Sequence, residues 1–245
     1  MQRPYIIAFS TVSLDGRIAA STGYSQLSCT YDKTRLYLLR GWCDAVLVGA
    51  NTVKIDNPRL VKRYKPKSSR FYRIVVDGRL TLTPDYRIFR DKTYPTILIT
   101  CKGNRAEEFR NINVIVFEGE CSNGVLDLRE AVSKLLREFN ISTILVEGGG
   151  ITLYNLLRQG LLDEIRVTVT PKIFAAGRSV LEDPLGKGFT RAFSRLKLVY
   201  HELCPCGDCI HIVYKVVATW GNPVRARIPY SFKQLKELNP NMQDV

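Results

Sequence analysis

A carboxylate and three glycines follow an apolar run in VEGGGITLYNLL, which covers residues 146–157. Glycine loses more conformational entropy on folding than other residues, so three in succession at Gly148–Gly150 require a reason. Free N–H groups at the start of a helix, beside backbone without Cβ atoms, are typical of phosphate binding. The stretch therefore indicates an anion-binding turn. Glu147 favours this interpretation over a tight turn without a ligand, because a carboxylate at a strand tip contributes little to stability.

Two common nucleotide-binding patterns do not fit this turn. The dinucleotide pattern G-x-G-x-x-G would place its third glycine at Leu153, and the phosphate-binding loop needs a Gly-Lys-Ser/Thr sequence that does not follow. A ligand at this turn must therefore be held in another way.

A second stretch with chemical potential, DAVLVGANTVKIDNPRL, covers residues 44–60. Gly49-Ala50 would let a flat ligand approach the backbone, and Thr52 and Asp56 follow in what we predict to be one loop. From the residues alone, Asp56 can also be an Asx turn that leads into Asn57-Pro58.

Short, β-branched runs alternate with helical patterns and must position these groups. Asp127 and Glu130 predict a capping box, and Asn140 suits the C′ position of the same helix. The alternation indicates an α/β fold with one mixed, mostly parallel sheet, and residues 196–218 predict an antiparallel hairpin with a turn at Cys204–Asp208. We predict helices at 31–40, 127–140 and 152–159, and strands at 5–13, 44–50, 73–78, 96–100, 114–119, 143–148, 165–171, 196–203 and 209–218.

The chain of 245 residues carries a formal net charge of +13, which favours phosphorylated small molecules or nucleic acid as partners. We interpret the basic cluster 62–67 as a solvated loop rather than a nucleic-acid patch. No apolar run approaches the ~20 residues of a membrane helix, and no signal-peptide pattern is visible. We therefore expect a cytoplasmic protein that binds neither membranes nor nucleic acid, whose seven cysteines are thiols rather than a disulfide framework.

The segment CPCGDC brings Cys204, Cys206 and Cys209 close together in the sequence. P-C-x-x-C is half of the zinc-deaminase pattern, but the H-x-E or C-x-E that would supply the acid/base glutamate does not occur. One interpretation is a zinc site with His201 or His211 as the fourth ligand. We favour a hairpin turn with chance thiols, so no metal site is predicted.

Several segments, in family order, resemble the reductase of riboflavin biosynthesis. The resemblance covers the stand-alone archaeal and fungal type and the C-terminal half of the bacterial bifunctional deaminase–reductase. The combination of G-A-N-T-V…D-N-P-x-L with V-E-G-G is far more specific than any single segment. The matching segments are S-L-D-G-R-I-A at 13–19, G-x-S-Q at 23–26, L-L-R-x-x-x-D-A-V-L-V-G-A-N-T-V at 38–53, D-N-P-R-L at 56–60, R-I-V-V-D-G at 73–78 and V-E-G-G at 146–149.

The resemblance implies a dihydrofolate-reductase-like three-layer fold, a homodimer, and NADPH, with NADH as an alternative, as the cofactor. It also implies reduction of the ribose of 2,5-diamino-6-ribosylamino-4(3H)-pyrimidinone 5′-phosphate to a ribityl chain. That reduction needs a proton donor, for which Asp56 is the first candidate and Glu147 the second, because a buried carboxyl group can hold a proton at neutral pH. A bound water is the alternative source of the proton. The dinucleotide would contact Val12, Thr52, Asp56, Gly148, Gly149, Gly150, Ile151 and Thr152. The substrate would contact Ser25, Arg40, Leu60, Arg63 and Glu147. Arg40 and Arg63 suit the 5′-phosphate, because guanidinium forks match phosphate oxygens.

Without the resemblance, plainer roles remain open for four of these residues: a helix-terminal residue for Arg40, loop surface for Arg63, loop polarity for Ser25 and core packing for Leu60. The family tryptophan is replaced by Leu27. Lys102 and Arg105 are candidates for a cofactor 2′-phosphate, with a solvated loop as the alternative.

Two other functions stay open from the sequence. A pterin reductase would share the fold, but the phosphate-grasping arginines and the D-N-P-R-L loop argue against it. A nucleic-acid-binding protein would use the positive charge, but no motif of stacked aromatic and basic residues is present. We expect a reductase domain at 1–218. Residues 219–245, which include Pro223, Pro229 and Pro240, are expected to be an extension packed on the domain or partly disordered.

Overall fold

The computed structural model describes residues 1–64, 70–103, 105–122, 125–189, 195–217 and 219–237. The helices are α1 (Thr30–Trp42), α2 (Ala50–Asp56), α3 (Arg87–Arg90), α4 (Glu107–Asn111), α5 (Arg129–Phe139), α6 (Gly150–Arg158) and α7 (Phe232–Glu237). The longer strands are β2 (Tyr5–Val12), β4 (Ala45–Gly49), β5 (Tyr72–Val76), β6 (Thr96–Cys101), β7 (Ile115–Gly119), β10 (Thr143–Val146), β11 (Glu164–Val169), β13 (Leu196–Leu203) and β14 (Ile210–Val216). The short strands are β1 (Gln2–Arg3), β3 (Arg17–Ala19), β8 (Cys121–Ser122), β9 (Val125–Leu126), β12 (Arg178–Ser179) and β15 (Asn222–Pro223).

Within the described residues, nine strands form one mixed sheet in the order β13-β14-β11-β2-β10-β4-β5-β6-β7. Every neighbouring pair from β11 to β7 is parallel, and only β13 and β14 run antiparallel to their neighbours. The predicted α/β class and the antiparallel C-terminal hairpin are confirmed. The predicted strands match those of the structure to within a few residues at their ends.

Helices cover both faces of the sheet, and the central strands are therefore apolar on both sides. In β4, Leu47 packs with residues of α5 and α6, whereas its neighbours Val46 and Val48 pack with α2, α3 and α4 on the opposite face. Helices α1 and α7 cover the same sheet further along, against Ile7 and Phe9. This alternation, which follows the two-residue period of a strand, produces the predicted three layers.

Local structure departs from the sequence-based prediction in two helices. The predicted capping box of α5 is wrong: Leu128 is the N-cap without a side-chain hydrogen bond, Asp127 accepts from the N–H of Arg129, and Glu130 pairs with Lys134. Asn140 does occupy the left-handed position after the helix, as predicted. The predicted loop after β4 is also wrong, because residues Ala50–Asp56 form α2 and the chain turns only at Asn57.

The expectation that all cysteines are thiols is wrong for one pair. Cys101, at the end of β6, and Cys121, in β8, form a disulfide. Cys101 ends β6 and Cys121 comes two residues after the neighbouring strand β7, and sheet pairing of Cys101 with Gly119 brings the two chain segments together.

The C-terminal segment packs on the sheet as far as the structure describes it. β15 pairs in parallel with β1, and the side chains of Ile228 and Leu235 are buried beside α1. Residues 218 and 238–245, which include the predicted boundary and Pro240, lie outside the described residues, as do residues 65–67 of the basic cluster. In the part of the chain that is described, no helix has the length and apolar character needed to cross a bilayer.

Candidate functional site

A cleft of about 620 Å³ lies at the carboxyl edge of the parallel strands β10, β4 and β5. This edge is where ligands bind in open α/β sheets. The cleft brings together many of the residues singled out from the sequence. They are Ser25, Thr52, Asp56, Glu147, Gly148, Gly149, Gly150, Ile151 and Thr152.

The glycines in the cleft wall are required by the close approach of two turns. A Cβ atom on Gly49 would clash with Oγ1 of Thr152, and one on Gly150 would lie 2.7 Å from the carbonyl oxygen of Ser179. Gly148 and Gly149 have φ angles of 103° and 90°, a conformation that residues with a side chain rarely adopt. Backbone conformation and close packing therefore require glycine at Gly148–Gly150, whether or not a ligand binds there.

The first turn of α6 nevertheless keeps the properties of an anion site. Its N-cap is Gly149, which has no side chain to cap the helix. The N–H groups of the first turn have no partner within the helix, and the positive end of the helix dipole points the same way. The backbone of Gly150, Ile151 and Thr152 lines the cleft at this point. These features suit a phosphate or pyrophosphate group.

Asp56 ends α2 and lies at the cleft wall. Its side chain is open to solvent, but partial desolvation by the surrounding walls raises its pKa above the ordinary value, while the nearby positive charge of Arg178 opposes that shift. A raised pKa is what a carboxyl proton donor needs at neutral pH.

Glu147 is engaged in an ion pair instead. Its two carboxylate oxygens accept from Nε and Nη2 of Arg40 at 2.7 and 2.5 Å, and Arg40 also donates to the carbonyl of Val61 at 2.9 Å. Both side chains are nearly buried. Burial lowers the pKa of Arg40, but attraction to Glu147 outweighs this and raises it overall.

Four predicted site residues lie outside the cleft wall. Val12 is buried at the end of β2, where its carbonyl accepts from Thr170, and Leu60 packs in the apolar core with a φ of 51°. Arg63 is exposed and its guanidinium lies 4.1 Å from the ring centroid of Tyr37. Arg40, the fourth, is held by Glu147 as described above.

The cleft also contains cations that the sequence-based prediction missed: Lys54, Arg79 and Arg178. Arg79 belongs to a loop after β5 that Asp77 organises, because Asp77 Oδ2 accepts from the N–H groups of Thr81 and Leu82 at 2.7 and 2.8 Å. Arg79 could have been predicted from the sequence, because it comes just after a strand, where ligands bind in parallel sheets. Arg178 could not have been predicted in this way, since it lies in a two-residue strand that pairs with the distant strand β3.

The two residues predicted to meet a 2′-phosphate do not line the cleft. Lys102 forms an exposed ion pair with Glu120 at 2.6 Å, and Arg105, three residues further along the chain, is exposed. Arg79 is therefore the cation at the β5 side of the cleft.

A mostly parallel sheet between helical layers, with a ligand-sized cleft at its carboxyl edge, defines an α/β protein of the dihydrofolate-reductase-like class. The sequence model described as "RibD C-terminal domain" matches residues 4–210. The chain belongs to this family.

The chain is similar to relatives of about its own length and to part of longer relatives. A protein of Methanothermobacter thermautotrophicus named 2,5-diamino-6-ribosylamino-4(3H)-pyrimidinone 5′-phosphate reductase is 31% identical over 219 residues, which are 87% of this chain and 99% of that protein. An Archaeoglobus fulgidus protein of the same name is 32% identical over 72% of this chain and 84% of its own length. The Aquifex aeolicus riboflavin biosynthesis protein RibD is 34% identical, but the matched part is 49% of its length.

A solved structure shows the same fold. The deaminase/reductase of Thermotoga maritima superposes with a TM-score of 0.71 at 26% identity, covering 87% of this chain and 57% of the other. The chain therefore corresponds to a part of such bifunctional proteins and to nearly the whole of the archaeal relatives.

Proposed function

We propose that the chain is a nicotinamide-dependent reductase of riboflavin biosynthesis. Its substrate would be 2,5-diamino-6-ribosylamino-4(3H)-pyrimidinone 5′-phosphate, whose ribose is reduced to the ribitylamino product. The family and the archaeal relatives that bear this name support the activity. The observation that carries the proposal is the cleft itself, which joins the uncapped N-terminus of α6 to the carboxyl group of Asp56.

A dinucleotide cofactor fits the groups on the cleft wall. Glycines keep the first turn of α6 free of side chains, and its N–H groups suit the pyrophosphate. Thr52 and Thr152 supply hydroxyl groups on either side of this turn. A bound nicotinamide would supply the hydride for the reduction. NADPH is the proposed form, because the cation Arg79 on the β5 side suits a 2′-phosphate.

The remaining tasks are those of the protein. Asp56 donates the proton that the opened sugar requires, and Ser25, which also lines the cleft, hydrogen-bonds the substrate. Arg63 binds the 5′-phosphate, since its exposed guanidinium has a ring contact with Tyr37 and no described ion pair. The ion pair of Arg40 and Glu147 fixes the β10 turn on which the cleft depends.

The proposal includes the finer properties of the family. The enzyme acts on the 2-amino pyrimidine rather than the deaminated one, works as a homodimer, and resides in the cytoplasm. Size measurement by light scattering of the purified protein tests the dimer.

Oxidation of NADPH in the presence of each pyrimidine tests the activity. Turnover with the 2-amino substrate, and little with the deaminated substrate or dihydrofolate, is the expected result. Turnover with dihydrofolate but with neither pyrimidine would favour a pterin reductase. Failure with all three substrates, together with salt-sensitive retention on nucleic acid, would favour a nucleic-acid-binding protein.

A further inference from the structure

Four cysteines lie near one another beside the terminal strands β13 and β14 of the sheet, away from the cleft. Cys29 is the N-cap of α1, while Cys204, Cys206 and Cys209 lie in and beside the turn between β13 and β14. The sulfur atoms of Cys29 and Cys204 are 3.6 Å apart across 175 residues of sequence. The sequence suggested His201 or His211 as the companion of the turn, but the structure supplies Cys29.

Three of the sulfur positions match the dimensions of a tetrahedral zinc site. Zn–S bonds of ~2.3 Å place thiolate ligands roughly 3.8 Å from one another. The Sγ atoms of Cys29, Cys204 and Cys206 all lie within 4.8 Å of one another. Cys209 lies in the same turn, because the N–H of Cys204 donates to its carbonyl at 2.7 Å, and its thiol is the candidate for the fourth ligand.

The backbone beside Cys29 is arranged to support negative charge. Cys29 accepts from the N–H of Asp32 at 3.4 Å, within the positive end of the α1 dipole. Hydrogen bonds of this kind orient and stabilise thiolate ligands around a metal.

The turn itself is rigid before any metal binds. The N–H of Cys204 donates to the carbonyl of Cys209 at 2.7 Å, and Gly207 adopts a φ of 87° that closes the turn. Cys204 and Cys209 are buried, whereas Cys29 and Cys206 are partly exposed and give an ion a path from solvent. The site is therefore shaped in advance, and an ion has access to it.

We propose that Cys29, Cys204, Cys206 and Cys209 bind one structural Zn²⁺ ion, which ties the start of α1 to the β13–β14 turn. Binding would displace the thiol protons and leave four thiolates on the metal. With four protein ligands there is no open position for a water or substrate, so the ion has a structural rather than a catalytic role. None of the four cysteines lines the cleft, and the proposal does not depend on the proposed reductase activity.

Metal content and cobalt spectra of the full chain test the site. Protein purified under a thiol reductant should retain about one zinc per chain after dialysis against a weak chelator. Apoprotein, prepared by mercurial displacement and refilled with Co²⁺, should show the intense near-ultraviolet sulfur-to-cobalt band and the visible bands of tetrahedral thiolate ligation. Zinc-free wild-type protein without these bands would overturn the proposal.

Variants locate the ligands. Cys29→Ser and Cys206→Ser should each weaken cobalt binding by at least about tenfold and reduce the sulfur-to-cobalt band. Cys43→Ala, which removes the described free cysteine outside the cluster and leaves the Cys101–Cys121 disulfide intact, is the matched control and should keep both. Equal spectra for Cys206→Ser and Cys43→Ala would contradict the assignment.

Two further measurements keep the proposal falsifiable if the variants fold poorly. Addition of Zn²⁺ to wild-type apoprotein should raise its thermal midpoint, and an unchanged midpoint would refute a structural role. Mass spectrometry of the reductant-free protein should show free Cys29 and Cys204 once zinc is removed under denaturing conditions. A Cys29–Cys204 disulfide in the purified protein would mean that this pair is a redox bond rather than a metal site.

Discussion

Arg40 and Glu147 form a two-pronged ion pair that joins α1 to the turn after β10, with N···O distances of 2.7 and 2.5 Å. The pairing occupies the guanidinium fork that would otherwise suit a phosphate and both oxygens of the carboxylate. Both groups of the pair are therefore engaged with each other, whereas the carboxyl group of Asp56 lines the cleft and is the one that we propose for proton transfer.

Removal of either partner should destabilise the fold more than removal of both. Arg40→Met or Glu147→Leu leaves one charge buried without its partner, which costs about 3–5 kcal/mol for a buried pair. The double variant Arg40→Met/Glu147→Leu should lose less stability than either single variant, because it leaves no unpaired buried charge. Urea unfolding of the four proteins measures this difference, and additive losses would show that the pair is energetically unimportant.

Asp56→Asn should lower kcat and leave the substrate KM nearly unchanged. The amide keeps the shape of the side chain but cannot deliver a carboxyl proton, and acid–base contributions are about 10²–10⁴-fold. Cofactor affinity must be titrated separately, because α2 also lines the cofactor part of the cleft. Asp85→Asn, at an exposed ion pair with Arg90, is the control. A kcat within about threefold of wild type, below the smallest such contribution, would leave a bound water as the donor.

The pH profile gives a second test of Asp56. A proton donor works only while protonated, so kcat of the wild type should fall as pH rises through the Asp56 pKa. Desolvation raises that pKa and should move the fall to higher pH than an ordinary carboxyl group would give. This decline should disappear in Asp56→Asn. Wild-type and Asp56→Asn profiles with the same alkaline decline would assign it to another group.

Gly49→Ala should test the steric origin of the cleft glycines. The added methyl group would clash with Oγ1 of Thr152, so stability should fall by about 1–3 kcal/mol, as for an overpacked core. Thr152→Ala removes that atom, and the next neighbour then lies 3.4 Å away, so the double variant should recover most of the loss. Gly78→Ala, whose Cβ would have its nearest neighbour at 3.5 Å, is the control. Equal stability of Gly49→Ala and Gly78→Ala would show that the turns can move apart.

Gly149→Val is unsuitable as a probe of cofactor binding. The Cβ atom would face Thr152 Oγ1 at 3.1 Å and the backbone nitrogen of Gly49 at 3.4 Å, at a φ of 90°. A loss of cofactor affinity in that variant would therefore report a distorted turn. Thr52→Val replaces the hydroxyl group on the cleft wall by a methyl group of similar size and is the better variant for a cofactor titration.

The strands and the site glycines were predictable because each depends on a few neighbouring residues. The run TILVEGGG shows a strand that ends in a turn, whatever the rest of the chain does. The partners of Glu147 and Cys29 were not predictable, since Arg40 and Cys204 reach them only through sheet order. Helix α2 was missed because its one buried side chain, Val53, gives no periodic signal.

Arg79→Gln should weaken NADPH binding more than NADH binding. A charge-assisted contact to a 2′-phosphate contributes about 1.5–3 kcal/mol, so the NADPH dissociation constant should rise by roughly 10–150-fold while that of NADH changes little. Lys102→Gln is the control, because Lys102 pairs with Glu120 outside the cleft. An equal effect of Arg79→Gln on both cofactors would place the 2′-phosphate elsewhere.

Arg63→Ala should raise KM for the phosphorylated substrate with little change in kcat. The contact to the 5′-phosphate is the same in ground and transition states, and its loss should cost about 1.5–3 kcal/mol. The substrate without its phosphate should bind wild type and Arg63→Ala alike, because the lost contact is absent from both complexes. Arg178→Ala and Lys54→Ala are the comparison variants, since both residues line the cleft and either is a competing phosphate ligand. If one of these raises KM only for the phosphorylated substrate while Arg63→Ala does not, the phosphate lies within the cleft wall rather than beside Tyr37.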